Sequence, residues 1–100
     1  MATLLALYAQ PTDPAAFDAY YFSTHVPIAR RVPGLLSYRV GRNPGTIAGT
    51  PCYLVAALEF ASLEAIQAAL VSPEGQAAAA DLGNFATGGV TLLSFDEQPV

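Results

Sequence analysis

The chain has no lysine. Its four basic residues are the arginines Arg30, Arg31, Arg39 and Arg42, and its net charge is −4. Charged residues make up 12% of the sequence, roughly half the usual ~25%. Binding nucleic acid through its phosphates requires clustered Lys or Arg. The Arg30-Arg31 pair is too small a patch for that, so nucleic acid is excluded as a partner. There is one cysteine, Cys52, which rules out an internal disulfide. A reactive thiol wants a basic neighbour, and "TPCYLVAAL" supplies none, so Cys52 reads as a small buried apolar residue. No run approaches the ~18 apolar residues of a membrane span. The opening "MATLLALYAQP" lacks a positively charged region and its apolar run is short, so it reads as a first strand and not a signal peptide. The expected location is the cytoplasm. The one histidine, His25, lies far from Cys52, and no metal-ligand spacing is present. "NPGTIAGTP" has neither the spacing of a phosphate-binding loop nor a helix after it. No metal and no cofactor is expected.

What the chain does have is apolar bulk, 53% of its 100 residues. That length is one domain, residues 1–100, and the composition is rich for a small monomer to hide. "TLLALYA", residues 3–9, reads as a strand. Asp13 as N-cap with Pro14 at the first helical position opens a helix, with Phe17, Tyr21 and Thr24 on one face. Pro33-Gly34 marks a turn. Residues 35–42 alternate, with Leu36, Tyr38 and Val40 on one side and Ser37 and Arg39 on the other. Residues 52–60, "CYLVAALEF", form the clearest strand. Ser62 caps a helix over 62–70, and Ser72 with Pro73 restarts one that runs to a stop at Gly83. "GVTLLSFDE" is the last strand.

The order β-α-β-β-α-β predicts an α+β, ferredoxin-like protomer: a four-stranded antiparallel sheet with the helices on one face. The other face of such a sheet is normally wet and its strands alternate cleanly. Here they do not. Opposite Leu54, Ala56, Leu58 and Phe60 stand Tyr53, Val55, Ala57 and Glu59, still mostly apolar. A second copy packed sheet to sheet is the simplest cover, which predicts a homodimer.

Two stretches, "YYFSTHVPIARRVPGLLSYRV" (20–40) and "LVSPEGQAAAADLGNFATGGVTLL" (70–93), resemble the EthD family. The first carries a tyrosine-rich helix, His-x-Pro and Pro-Gly-Leu, and the likeness spans nearly the whole chain. The resemblance implies the dimeric α/β barrel built from two ferredoxin-like protomers. It also implies a setting among ether-degradation and other catabolic genes. Related dimeric barrels include polyketide cyclases, dehydratases, decarboxylases, muconolactone isomerases and haem-dependent monooxygenases. A tyrosine-lined, partly filled pocket argues against haem on His25.

The candidate site centres on His25. Pro27 lacks an N–H and crowds the carbonyl of Ser23, so the first helix breaks or kinks near residues 23–26. His25 sits at that break, one turn after Tyr21 and on its side. The family pattern places this histidine at a pocket, where it can act as an acid/base. The alternative is a structural ring that bonds a carbonyl freed by Pro27. Tyr21 is the partner residue of choice, polarising a carbonyl. Tyr20, Tyr38 and Tyr53 are core or interface, or donors to a ligand. Asn84 and Phe85 are a returning loop, or the rim and wall of the pocket. Tyr21, His25 and Phe85 are expected around one cavity. Two functions remain open at this level. One is a cofactor-free proton-transfer enzyme (cyclase, dehydratase, decarboxylase or isomerase) for a small aromatic or polyketide-like compound. The other is a non-catalytic protein that binds a small apolar molecule, an accessory to a catabolic pathway.

Overall fold

A computed structural model describes residues 1–100. Strand β1 (Ala2–Tyr8) leads to helix α1 (Pro14–Tyr20), a π-helical turn (Tyr21–His25) and helix α2 (Val26–Ala29). Strands β2 (Ser37–Arg42) and β3 (Leu54–Phe60) follow, then helices α3 (Leu63–Val71) and α4 (Pro73–Asp81), a 3-10 turn (Leu82–Asn84) and strand β4 (Val90–Asp96). The sheet is antiparallel in the order β2-β3-β1-β4. This is the ferredoxin-like α+β arrangement that the element order predicts.

Local chemistry sets the helix starts. Asp13 accepts from the Ala16 N–H at 3.1 Å, Ser62 from Ala65 at 3.1 Å and Ser72 from Gly75 at 3.0 Å, so each cap satisfies an orphan donor of the first turn. Gly34 turns the chain after α2 at φ +82, a conformation that penalises any Cβ. Gly75 is required for a different reason: a Cβ there would stand 2.0 Å from the Ala69 carbonyl oxygen, so α4 can leave α3 this tightly only with glycine.

The break predicted before Pro27 takes the form of the π turn. Val26 N–H reaches back to the Tyr21 carbonyl, an i→i+5 bond. Phe17, Tyr21, His25 and Ala29 are all buried at four-residue intervals. In a regular α-helix each such step drifts by about 40°. The wide turn takes up that drift and brings His25 inward, while Thr24 is only half-buried. Cys52 lies half-buried in the loop ahead of β3, which begins at Leu54 and not at residue 52.

The molecule is two layers, 35 × 35 × 17 Å. Registered pairs put Ala6, Tyr8, Leu54, Ala56, Leu58 and Phe60 on the helix side, all buried. The opposite face carries Leu5, Leu7, Val55, Ala57, Leu93 and Phe95, with Glu59 and Arg39 near its β2 edge. No helix covers it, and Leu93 and Phe95 are each 40% exposed. No helix is long and apolar enough to cross a membrane.

Candidate functional site

Between the helices and the sheet lies an apolar cavity of about 70 Å³. Part of its wall is made of small side chains: Ala6 and Ala56 from the sheet, Ala29, Ala69 and Ala78 from the helices, and Gly75; larger ones such as Leu4, Tyr38, Leu58 and Leu82 complete it. Side chains this short leave the layers apart where leucines would fill the gap. Leu70 of α3 and Leu92 of the edge strand β4 also line it, yet are 41% and 48% exposed. The cavity therefore opens between α3 and β4. A benzene ring occupies a cavity of ~150 Å³, so a ring-sized ligand would extend from the cavity into this mouth.

His25, 5% exposed, stands in the cavity wall. Its Nδ1 lies 2.9 Å from Oδ2 of Asp81, at the end of α4. Asp81 is itself buried and held on its other oxygen: the Tyr20 hydroxyl donates to Oδ1 at 2.6 Å and the Asn84 amide at 2.9 Å. Burial pushes His25 below its ordinary pKa in spite of the pull of Asp81. Burial alone would raise Asp81, but the bonds from Tyr20, Asn84 and His25 together hold it below the usual carboxylate range. The pair at neutral pH is thus a neutral imidazole beside a carboxylate. The Nδ1–H donates to Asp81, and Nε2 keeps its lone pair. Nε2 has no protein partner, and no fully enclosed side-chain polar atom lacks one, so Nε2 faces open space. This is the orienter–base geometry of an acid/base site.

The sequence-derived candidates divide around this pair. Tyr38 lines the cavity, and its hydroxyl shares a 2.6 Å hydrogen bond with that of Tyr21. Tyr21 is fully buried and is outside the cavity wall; it reaches the cavity through Tyr38. Phe85 packs its ring 4.6 Å from that of His25 and 5.7 Å from that of Tyr21. The three rings meet, but they do not line one cavity together: only His25 borders the void, while Phe85 and Asn84 line a separate groove with Thr12 and Tyr20. Asn84 acts on the site through Asp81. Tyr53 stands just ahead of β3, beside Tyr8 but outside the cavity wall; its ring packs on Phe17 and its hydroxyl donates to Asp18 at 2.9 Å. His25 does not bond a carbonyl freed by Pro27, because the π turn turns its ring toward α4. Glu59 is on the open sheet face, away from the cavity. Sequence reasoning missed Asp81 and Tyr8, and read Tyr20 as core, interface or a donor to a ligand, not as the donor that holds Asp81. A carboxylate next to a helix stop, three residues before an asparagine, was the available signal for the first.

The EthD domain family matches residues 9–89. The chain belongs to the EthD family. It is 43% identical over 101 residues to an uncharacterized 11.0 kDa protein from the thcB-thcC intergenic region of Rhodococcus erythropolis, covering 100% of this chain and 98% of that one. An EthD-family protein from Bacillus halodurans has a crystal structure similar to this one, with TM-score 0.89, 37% identity and coverage of 98% and 99% of the two chains. More distant in sequence, SnoaB, a cofactor-independent oxygenase from Streptomyces nogalater, shares the fold at TM-score 0.71, with 19% identity and coverage of 99% and 94%. A dimeric ferredoxin-like protein from Thermobifida fusca does so at TM-score 0.70, with 16% identity and coverage of 94% and 88%.

Proposed function

We propose that this EthD-family protein is a cofactor-independent acid/base enzyme for a small aromatic or polyketide-like compound, with reactions of the cyclase, dehydratase, decarboxylase or isomerase type. The observation that carries the proposal is the buried His25–Asp81 pair at the edge of an apolar cavity. In this reading His25 Nε2 takes a proton from the substrate. Asp81 holds the ring in the Nδ1–H tautomer and offsets the charge of the imidazolium that forms. Tyr21 acts through Tyr38, setting the direction in which the Tyr38 hydroxyl donates. SnoaB, described as a cofactor-independent oxygenase, supports the idea that this fold accommodates chemistry without a cofactor; the reaction itself is argued from the site.

The test is His25→Gln, which keeps a hydrogen-bonding side chain at that position, against a panel of small phenolic and polyketide-like ketones first screened by thermal shift. Turnover of a hit should fall ~10²–10⁴-fold. A compound that stabilises wild type and variant equally, and is recovered unchanged after long incubation with both, would sink the catalytic reading. It would leave a small-molecule binding or accessory protein, the second function open from the sequence.

The working unit in this proposal is a homodimer. The uncovered sheet face with Leu5, Leu7, Val55, Leu93 and Phe95 supports it, as does the description of the Thermobifida fusca neighbour as dimeric. A face of that kind suits a large, permanent, apolar interface. Light scattering at low micromolar concentration should give twice the chain mass, and a well-behaved monomer would remove this part of the proposal.

A further inference from the structure

Of the five tyrosines, four have their hydroxyls engaged by the protein: Tyr20 with Asp81, Tyr21 and Tyr38 with each other, and Tyr53 with Asp18. Tyr8 is the exception. Its side chain is 2% exposed, it lines the cavity, and its hydroxyl makes no hydrogen bond to the protein. Buried hydroxyls are almost always paired, because an unpaired one forfeits its hydration for nothing. No fully enclosed side-chain polar atom is left without a partner, so the Tyr8 hydroxyl has open surface. In a residue this buried, that surface belongs to the cavity. The ring is fixed from several sides, at 5.4 Å from Phe17 and 5.6 Å from both Tyr21 and Phe85. Burial, with Tyr38 and Asp81 nearby, pushes the phenol above its ordinary pKa, so it stays a protonated donor.

We infer that the Tyr8 hydroxyl is the donor that binds the substrate's oxygen, and that the substrate is a neutral molecule bearing a carbonyl next to a carbon with an acidic hydrogen. The oxygen-binding half stands on the cavity geometry; the acidic hydrogen rests on the acid/base reading of His25. Neutrality follows from the lining. All four arginines are exposed and none borders the cavity; Arg30 acts on Tyr38 only from outside the wall, so a carboxylate or phosphate head would enter without a direct ion pair. The step needs no other reactant. His25 Nε2 takes the proton as the C–H bond breaks. Its electron pair forms the carbon–carbon double bond, and the carbonyl π pair moves onto the oxygen, which Tyr8 stabilises by donating its O–H. Return of the proton, to the same carbon or to another in conjugation, restores the neutral histidine.

Cyclopentanone and methylenecyclopentane, the same shape without the oxygen, serve as probes. Each is titrated by NMR against the full-length wild type, Tyr8→Phe and His25→Gln, and exchange of the ketone's α-hydrogens is followed in D2O. Wild type should prefer the ketone by about tenfold, the scale of one hydrogen bond. Tyr8→Phe should keep the alkene affinity, lose the preference and melt no lower, since the removed hydroxyl had no protein partner. Tyr8-dependent ketone binding without exchange supports the oxygen-binding assignment and sinks the proton-transfer reading instead. Exchange that is undiminished in Tyr8→Phe but lost in His25→Gln overturns the assignment and leaves that reading standing. A wild type that binds neither probe, or both alike, also overturns it.

Discussion

The two halves of the space between helices and sheet are built from opposite materials. On one side, Phe17, Tyr8, Tyr21 and Phe85 interlock with ring centroids 5.2–5.7 Å apart. On the other, a void remains where alanines and a glycine replace larger side chains in part of the wall. Both halves are apolar, so hydrophobicity alone does not separate them; volume does. The aromatic half supplies the burial that holds the layers together. The alanine half gives up contact energy and keeps room beside His25.

The comparison breaks most sharply at Phe17, which is 2% exposed and touches the rings of Tyr8, Tyr21, Tyr53 and Phe85. Phe17→Ala should cost ~3–5 kcal/mol, read as a lowered midpoint in urea unfolding. A loss no larger than a surface substitution would mean that the rings are not the anchor.

Acid should act next, and it should act at the seam between the halves, where His25 rests on Phe85 and bonds Asp81. Burial holds His25 below 6.5 in the folded protein, so the unfolded chain binds its proton first. Stability from this residue is complete above pH 6.5 and declines as pH falls through the folded value. Asp81 lies below 3.8, because the donors around it outweigh burial. Its contribution is present above that value and is lost at lower pH. Two successive losses are therefore expected in melting temperature against pH. His25→Gln should remove the upper one and Asp81→Asn the lower. A catalysed rate should show its acid limb below 6.5, where the base becomes protonated.

The smallest effect on stability is expected in the alanine half. Ala78→Leu points added volume at the void and should raise stability by about 0.5–2 kcal/mol, while ligand binding by thermal shift or NMR disappears. If the same change destabilised the protein, that wall would be closer packed than its void implies.

These contrasts also mark what the sequence made legible. The caps at Asp13, Ser62 and Ser72, the strand alternation and the excess of apolar residues on both sheet faces are local patterns, and each carried through to the fold. His25 was legible as a candidate because it is the single histidine beside a helix-breaking proline. Its partner was not. Asp81 lies 56 residues away, and a carboxylate at the end of an alanine-rich helix looks like a solvated terminus until the fold brings it under Tyr20. Tyr8 was hidden more completely, since the last inward residue of a strand looks like core whether or not its hydroxyl finds a partner. Tyr53 shows the reverse: a tyrosine in the stretch that reads as the clearest strand looks like a ligand contact, yet it falls just ahead of β3, where its ring packs on Phe17 and its hydroxyl is taken by Asp18.

The π turn at Tyr21–His25 has a consequence for descent. A wide turn is a helix with one residue too many, and the surplus is stored where the ring of His25 must swing toward α4. Removing that residue would restore a regular helix and rotate everything after it by about 100°, turning the imidazole from its carboxylate. A single-residue gap at this point in an alignment of relatives should therefore travel with loss of the histidine, of the aspartate, or of both, so that the three characters are inherited as one.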